Sequence, residues 1–424
     1  MIEKETLDLI KNSLREDHPE LYHKAFTIDE SRESFRRLIA KIHGDLLDTP
    51  EKVDYVVREL VGMGLIEELK SDERVTDIGY DGDKLWVEGN GIEKNSIPYE
   101  ENEAIKLISK FSSSTGKDLT IKHNILNTSK DRMRLNAVHK SVAVDGTTMA
   151  IRVSRPGLAL NEENFTTFAP MYMLDFLKAA AETRSNILIS GETGTGKTEL
   201  QKLFIKYIRP KERIALIETN KDMHVKETFP DRDIFYWVAN ETTSQEDLIA
   251  KAALRSHPVW IMPAEVVGRE VYQMVQGVLT GHRTVTTLHS FDARATPYRL
   301  LGMAKQGYNV DERMFLDNIY RYFDFDFHIE KTIDGQRYLS EVVEFHSDHS
   351  ATTVFKQDFV GDKFEVTIGE LSPSFYAKLK KFRSNFWGFP IKPDWTSFSS
   401  GLSNDPDEEA KRYEEDLDRL LKEE

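Results

Sequence analysis

The eight residues GETGTGKT at positions 191–198 constrain this chain more than any other segment. They run from Gly191 through Glu192, Thr193, Gly194, Thr195 and Gly196 to Lys197 and Thr198, with Glu199 next, and satisfy the spacing G-x-x-x-x-G-K-[ST]. Before them, Asn186–Ser190 is a short apolar run that reads as a buried parallel strand. After them Leu200, Leu203, Phe204, Tyr207 and Ile208 recur at helical spacing. A strand, a glycine loop and a helix in this order turn backbone N–H groups onto a phosphate chain at a helix N-terminus. Lys197, in a loop expected to face solvent, can then reach the β/γ oxygens, and the Thr198 hydroxyl can hold Mg²⁺. A structural glycine turn is the alternative reading.

Length allows two or three domains, since 424 residues are ample for large cores. Lys and Arg total 57 against 72 Asp and Glu, a formal charge of −15, which weighs against non-specific nucleic-acid binding over the whole surface. Without cysteine, disulfides and thiolate metal sites are excluded. The N-terminus alternates acids with apolar residues and has no signal-like region. No apolar run approaches the roughly 20 residues needed to span a bilayer, so a cytoplasmic location is expected.

Four stretches divide the chain. Residues 1–70 read as an N-terminal helical segment, with Leu7, Ile10 and Leu14, then Phe35, Leu38, Ile39 and Ile42, on helix faces. Residues 71–156 read as a small α+β domain: strands at Val75–Tyr80 and Leu85–Val87, a helix with Ile105, Ile108 and Phe111, and alternating strands at 133–137 and 149–153. Residues 157–385 hold the phosphate loop and alternate strands with helices between about Met171 and Phe345, as in a parallel α/β sheet. Residues 386–424 read as an aromatic linker and an acidic tail, where Tyr413, Leu417, Leu420 and Leu421 mark an amphipathic helix.

Within the α/β stretch, strand ends carry the chemistry. Arg213–Ile217 delivers Glu218, Val259–Met262 leads to Glu265, and Thr284–Leu288 lies between His282 and His289. Thr243 with Glu246 resembles a capping box. Ligands of open α/β sheets sit beyond the carboxyl ends of the strands, so Glu218, Glu265 and His289 are expected to converge on the loop. Singly, each has a plainer reading as a solvated carboxylate or a surface histidine.

The order of loop, Glu218, Glu265, His282 and His289 resembles the secretion traffic ATPases of type II and type IV secretion, pilus assembly and conjugation. Leu254-Arg255-Ser256-His257-Pro258 matches that family's Leu-Arg-x-x-Pro, and residues 280–289 its histidine box. Arg134-Leu135-Asn136 and Ile151-Arg152-Val153 resemble elements of its N-terminal sensor-like, PAS-like domain. Lacking cysteines, the chain looks closest to the conjugation and tight-adherence pilus branch.

This resemblance implies a RecA-like ATPase domain, ATP and Mg²⁺ as ligands, and a homo-hexameric motor working with membrane platform proteins of a secretion or pilus apparatus. Stable nucleic-acid binding is not expected. It implies that Glu218 orients or deprotonates the attacking water, that Glu265 lies near Mg²⁺ together with Thr198, and that His289 senses the γ-phosphate. His282, Arg134 and Arg152 complete the candidate catalytic set, the arginines in cis or from a neighbour. The chain departs from the family pattern after Glu218, where Thr219-Asn220 stands in place of the usual Asp-Thr and one carboxylate is lost, and at Ala264, where glycine is usual. A weakly hydrolysing nucleotide-binding ring scaffold and a nucleic-acid-translocating motor are the alternatives.

Overall fold

The computed structural model describes residues 2–89, 92–130, 132–361, 363–390 and 398–399. The expected tail helix around Tyr413–Leu421 lies outside the described residues. The chain forms two compact units, Met1–Arg155 and Pro156 onward.

The first unit opens with five helices, Lys4–Asp17, Pro19–Thr27, Arg32–Ile42, Pro50–Leu60 and Leu65–Ser71. Proline begins two of them, where its missing N–H costs nothing, and the Thr49 side chain accepts from the Lys52 N–H to cap the fourth. Ile10, Leu14, Phe35, Ile39, Val56 and Leu60 close one core. A six-stranded antiparallel sheet follows, built from β1 (Val75–Tyr80), β2 (Lys84–Gly89), β3 (Ile92–Pro98), β4 (Ile125–Lys130), β5 (Met133–Val138) and β6 (Thr148–Val153). Its order is β3-β2-β1-β6-β5-β4. Strict alternation buries Met133, Leu135 and Ala137 of β5 and Met149, Ile151 and Val153 of β6 on one face. The helix Glu101–Thr115 contributes Ala104, Leu107, Ile108 and Phe111 to that core. Ile105, expected on the buried face, falls beside this i, i+3, i+4, i+7 stripe and is exposed.

The second unit is a mixed sheet with helices. Its strands are β7 (Ile187–Gly191), β8 (Ile214–Glu218), β9 (Ile234–Val238), β10 (Trp260–Pro263), β11 (Val285–Leu288), β12 (Phe325–Lys331), β13 (Arg337–Phe345), β14 (Ala351–Val360) and β15 (Lys363–Ile368). β10-β8-β9 and β11-β7-β12 are each parallel, and parallel bridges Trp260↔Arg283 and Glu265↔Thr287 join them. The parallel order is therefore β9-β8-β10-β11-β7-β12. Asn186 aligns its centre: its Oδ1 accepts the Thr284 N–H (2.9 Å) and its Nδ2 donates to the Tyr322 carbonyl (2.6 Å).

From β12 onward the structure departs from the expected parallel pattern. β13, β14 and β15 return antiparallel and carry the sheet to Ile368. A buried run such as Val342-Val343 reads alike in either direction. The short connections at Asp334-Gly335 and Asp348-His349 decide it, because a parallel crossover needs a dozen or more residues.

Residues 386–389, expected to begin a linker, instead complete the core. Phe176 of the helix Met171–Glu182 meets the rings of Phe325 (5.0 Å), Phe375 (5.7 Å), Phe386 (5.6 Å) and Phe389 (5.1 Å). Phe176 is fully buried among them. Phe176→Ala is expected to cost about 3–5 kcal/mol, cavity included. It should lower the unfolding midpoint of the second unit in urea; an unchanged midpoint would show that the aromatic cluster does not hold this core.

Candidate functional site

Strand β7 ends in Gly191, whose φ of 140° is closed to most side chains. A Cβ there would lie 2.2 Å from the Ile329 carbonyl oxygen, so the neighbouring strand β12 admits only glycine. The loop then bends through Gly194 and Gly196, both at positive φ, and the Thr195 hydroxyl donates to the Glu192 carbonyl (2.9 Å). Gly196 caps the helix Lys197–Tyr207, so the first N–H groups of that helix face the concave side of the loop. Gln201, fully buried, donates to the carbonyls of Pro263 (3.1 Å) and Val285 (2.9 Å) and ties this helix to β10 and β11. Glu199 accepts the Ala159 N–H and pairs with Lys202, a bracing role outside the loop itself.

Lys197 was expected to face solvent, yet it is 6 % exposed. Its ammonium donates to the Gly191 (2.9 Å) and Glu192 (2.6 Å) carbonyls, and burial pushes its pKa down to about 8. The same ammonium lies 3.3 Å from His289 Nδ1, and His289 Nε2 lies 2.9 Å from Glu265 Oε1. One neutral tautomer satisfies both contacts: Nδ1 accepts from Lys197 and Nε2–H donates to Glu265. The structure thus brings Lys197, His289 and Glu265 into one hydrogen-bonded chain. Glu265 is carried there by backbone pairing, with the Val266 N–H on the Thr287 carbonyl (2.9 Å) and the Gln245 amide on the Glu265 carbonyl (2.9 Å). The Thr198 hydroxyl makes no hydrogen bond among the described residues.

Glu218 is not part of that chain. It ends β8, three strand spacings from β7, roughly 14 Å across the sheet. There its carboxylate accepts the Met223 N–H (3.1 Å) and the Tyr236 hydroxyl. Burial raises its pKa to about 7, with the Asp222 charge adding and the Tyr236 and backbone donors opposing. Tyr236, on β9, was not singled out by sequence, because its bond to Glu218 depends on strand pairing.

Three further candidates remain. His282 precedes β11 whereas His289 follows it, so the two stand at opposite ends of that strand, and His282 Nδ1 donates to the Pro258 carbonyl (2.8 Å). In this structure the hydrogen bond of His282 is to the backbone ahead of β10. Arg134 and Arg152 belong to the first unit, where they are direct cross-strand partners on the face opposite the core. Arg152 Nε donates to Asp77 Oδ1 (2.9 Å). The expected capping box also moves by one residue: Ser244 caps with Asp247, not Thr243 with Glu246. Glu246 instead pairs with Arg269 (2.6 Å).

Beneath the loop, sequence reasoning missed a buried polar cluster. Ser190 Oγ donates to Asp326 Oδ1 (2.6 Å) and contacts His328 Nδ1 (2.8 Å). Asp326 is fully buried, and its pKa is raised well above the usual range by desolvation. All three residues sit on adjacent β7 and β12, a pairing that local pattern does not reveal.

Comparison with known proteins follows this geometry. The family described as "Type II/IV secretion system protein" matches residues 118–321. An uncharacterised Bacillus anthracis protein is 40% identical over 93% of this chain and 94% of its own length. The type IV secretion system protein PtlH of Bordetella pertussis is 32% identical over 31% of this chain and 40% of its own. Among solved structures, the pilus retraction motor PilT with bound ADP superposes with a TM-score of 0.50 at 18% identity, covering 76% of this chain and 87% of that one.

The raised pKa of Glu218 has a measurable consequence. Its neutral form stabilises the fold, and this contribution is present at acid pH and lost as pH rises from the ordinary 4.5 towards about 7. Glu218→Gln stays neutral throughout. Its unfolding free energy relative to the parent should therefore rise between about pH 4.5 and pH 7, by roughly 3 kcal/mol at most. A pH-independent difference in urea titrations would contradict the burial assigned to this carboxyl.

Proposed function

The chain belongs to the type II/IV secretion system protein family, with a RecA-like fold, and we propose that it is an ATP-hydrolysing motor of a secretion, pilus-assembly or conjugation apparatus. The observation that carries this reading is the Lys197–His289–Glu265 chain at the mouth of a glycine loop. No helix among the described residues is long and apolar enough to cross a membrane. In this reading the chain works from the cytoplasmic side as a homo-hexamer docked on membrane platform proteins.

The residues present fit a nucleotide triphosphate. The loop offers helix N–H groups, Lys197 is held by carbonyls that phosphate oxygens can replace, and the Thr198 hydroxyl is open to a metal ion. Mg²⁺, when bound, would neutralise charge on the β- and γ-phosphates. Lys197 would turn its donors from the Gly191 and Glu192 carbonyls and His289 to phosphate oxygens. His289, released from Lys197, would then report phosphate occupancy to Glu265.

Two glutamates compete as the base, and the geometry favours reversing the division that the resemblance implies. Glu265 lies one hydrogen-bond link from the histidine that touches Lys197, which suits it to orient the attacking water. Glu218, tied to Tyr236 and Met223, serves as a buried acid further along the sheet. That restraint on Glu218 also favours a second reading, a ring that binds nucleotide but turns it over slowly. Phosphate release measured against nucleotide affinity separates the two.

Lys197→Ala removes the preorganised cation at the phosphates. The loss should be on the order of 3–4 kcal/mol of transition-state stabilisation, with the fold intact because a desolvated charge is removed. Wild-type phosphate release by this variant would refute the site. Glu265→Gln should lower kcat by about 100-fold or more and Glu218→Gln by less; the opposite ranking in steady-state assays would restore Glu218 as the base.

A further inference from the structure

Strand β12 runs beside β7 as far as Ile329↔Gly191 and then continues past the loop through Glu330 to Lys331. A hairpin returns the chain into β13, where Arg337 is the direct partner of Lys331. Two cations directly opposite on an antiparallel pair repel each other, an arrangement that costs stability unless an anion lies nearby. Both are turned towards the loop. Arg337 Nε donates to the Gly194 carbonyl (2.9 Å), and its Cδ is 3.3 Å from where a Cβ on Gly196 would stand. Lys331 Nζ is 3.6 Å from the corresponding position on Gly194. Lys331 makes no hydrogen bond or ion pair among the described residues. Glu330 accepts the Tyr338 hydroxyl (2.7 Å), and Glu192 and Asp334 are exposed.

We propose that the β12–β13 hairpin is a second wall of the nucleotide site, in which Lys331 binds the polyphosphate chain directly and Arg337 fixes the hairpin to the loop. This rests on the reading of residues 191–198 as a nucleotide site and deepens it. Lys331 supplies a cation outside the motif, on the face of the loop away from His289 and Glu265. Its charge adds to that of Lys197, and the two repel across the loop, which adds to the larger effect of burial in lowering the pKa of Lys197. A bound polyphosphate relieves that repulsion for both lysines and for Arg337 together. The interaction would then be made equally with substrate and transition state, so its loss appears in KM more than in kcat.

The test uses the full chain and ATP, with affinity measured by calorimetry in the presence of Mg²⁺. Lys331→Met keeps the length of the side chain and removes its charge; the Kd for ATP should rise about tenfold, with a matching rise in KM. Lys331→Arg should restore affinity to within about threefold, which a purely structural lysine would not require. A Kd in Lys331→Met equal to that of the parent would overturn the proposal. Lys197→Ala, measured alongside, separates the two claims. If it loses ATP while Lys331→Met does not, only the hairpin assignment fails. If both bind as the parent does, the nucleotide site itself is wrong.

Discussion

The ammonium of Lys197 is withdrawn from water and makes no ion pair among the described residues, and much of the surrounding architecture follows from holding it there. A buried cation is costly unless it is hydrogen-bonded, and among the described residues two carbonyls and a histidine nitrogen serve it. The carbonyls exist in that orientation because Gly191 and Gly196 adopt backbone angles closed to most side chains. Gly191 in turn is forced by the packing of β12 against β7. The result is a preorganised site in which one positive charge is poorly satisfied, and phosphate oxygens are better partners than those the protein itself provides.

Strand order does the remaining work. Placing β11 between β7 and β10 puts the residue after β11, His289, between the loop and Glu265. A sheet with β10 directly beside β7 would bring the glutamate against the lysine and neutralise it. The inserted strand leaves an imidazole as the link, placed to transmit whether Lys197 has exchanged its partners. Gln201, bonded to both β10 and β11 from the loop's own helix, keeps these strands in register with the loop.

What could be read in the sequence was local. The loop, the strands on either side of it and the strand-end positions of Glu218, Glu265 and His289 all follow from spacing and apolar runs, and the structure has each at the end of a parallel strand. Contacts made by pairing between distant strands were not legible. Tyr236 on Glu218, Asp326 and His328 on Ser190, and Lys331 and Arg337 on the loop all depend on which strand lies beside which. The antiparallel return of β13–β15 escaped because buried strands carry no mark of direction. Arg155 illustrates the same limit in the first unit: it donates to the carbonyls of Val75 (2.6 Å), Lys70 (3.0 Å) and Asp72 (2.7 Å), a clamp that no motif announces.

The central claim is that the 191–198 loop receives the phosphates of ATP by exchanging the carbonyl partners of Lys197 for phosphate oxygens. A structure of the full chain with Mg²⁺ and a non-hydrolysable ATP analogue measures this directly. The account predicts the phosphate chain within the loop, Lys197 Nζ within hydrogen-bond reach of β- or γ-oxygens, and its contacts to Gly191 and Glu192 lengthened. Nucleotide bound away from the loop, or Lys197 still on both carbonyls with nucleotide present, would contradict it.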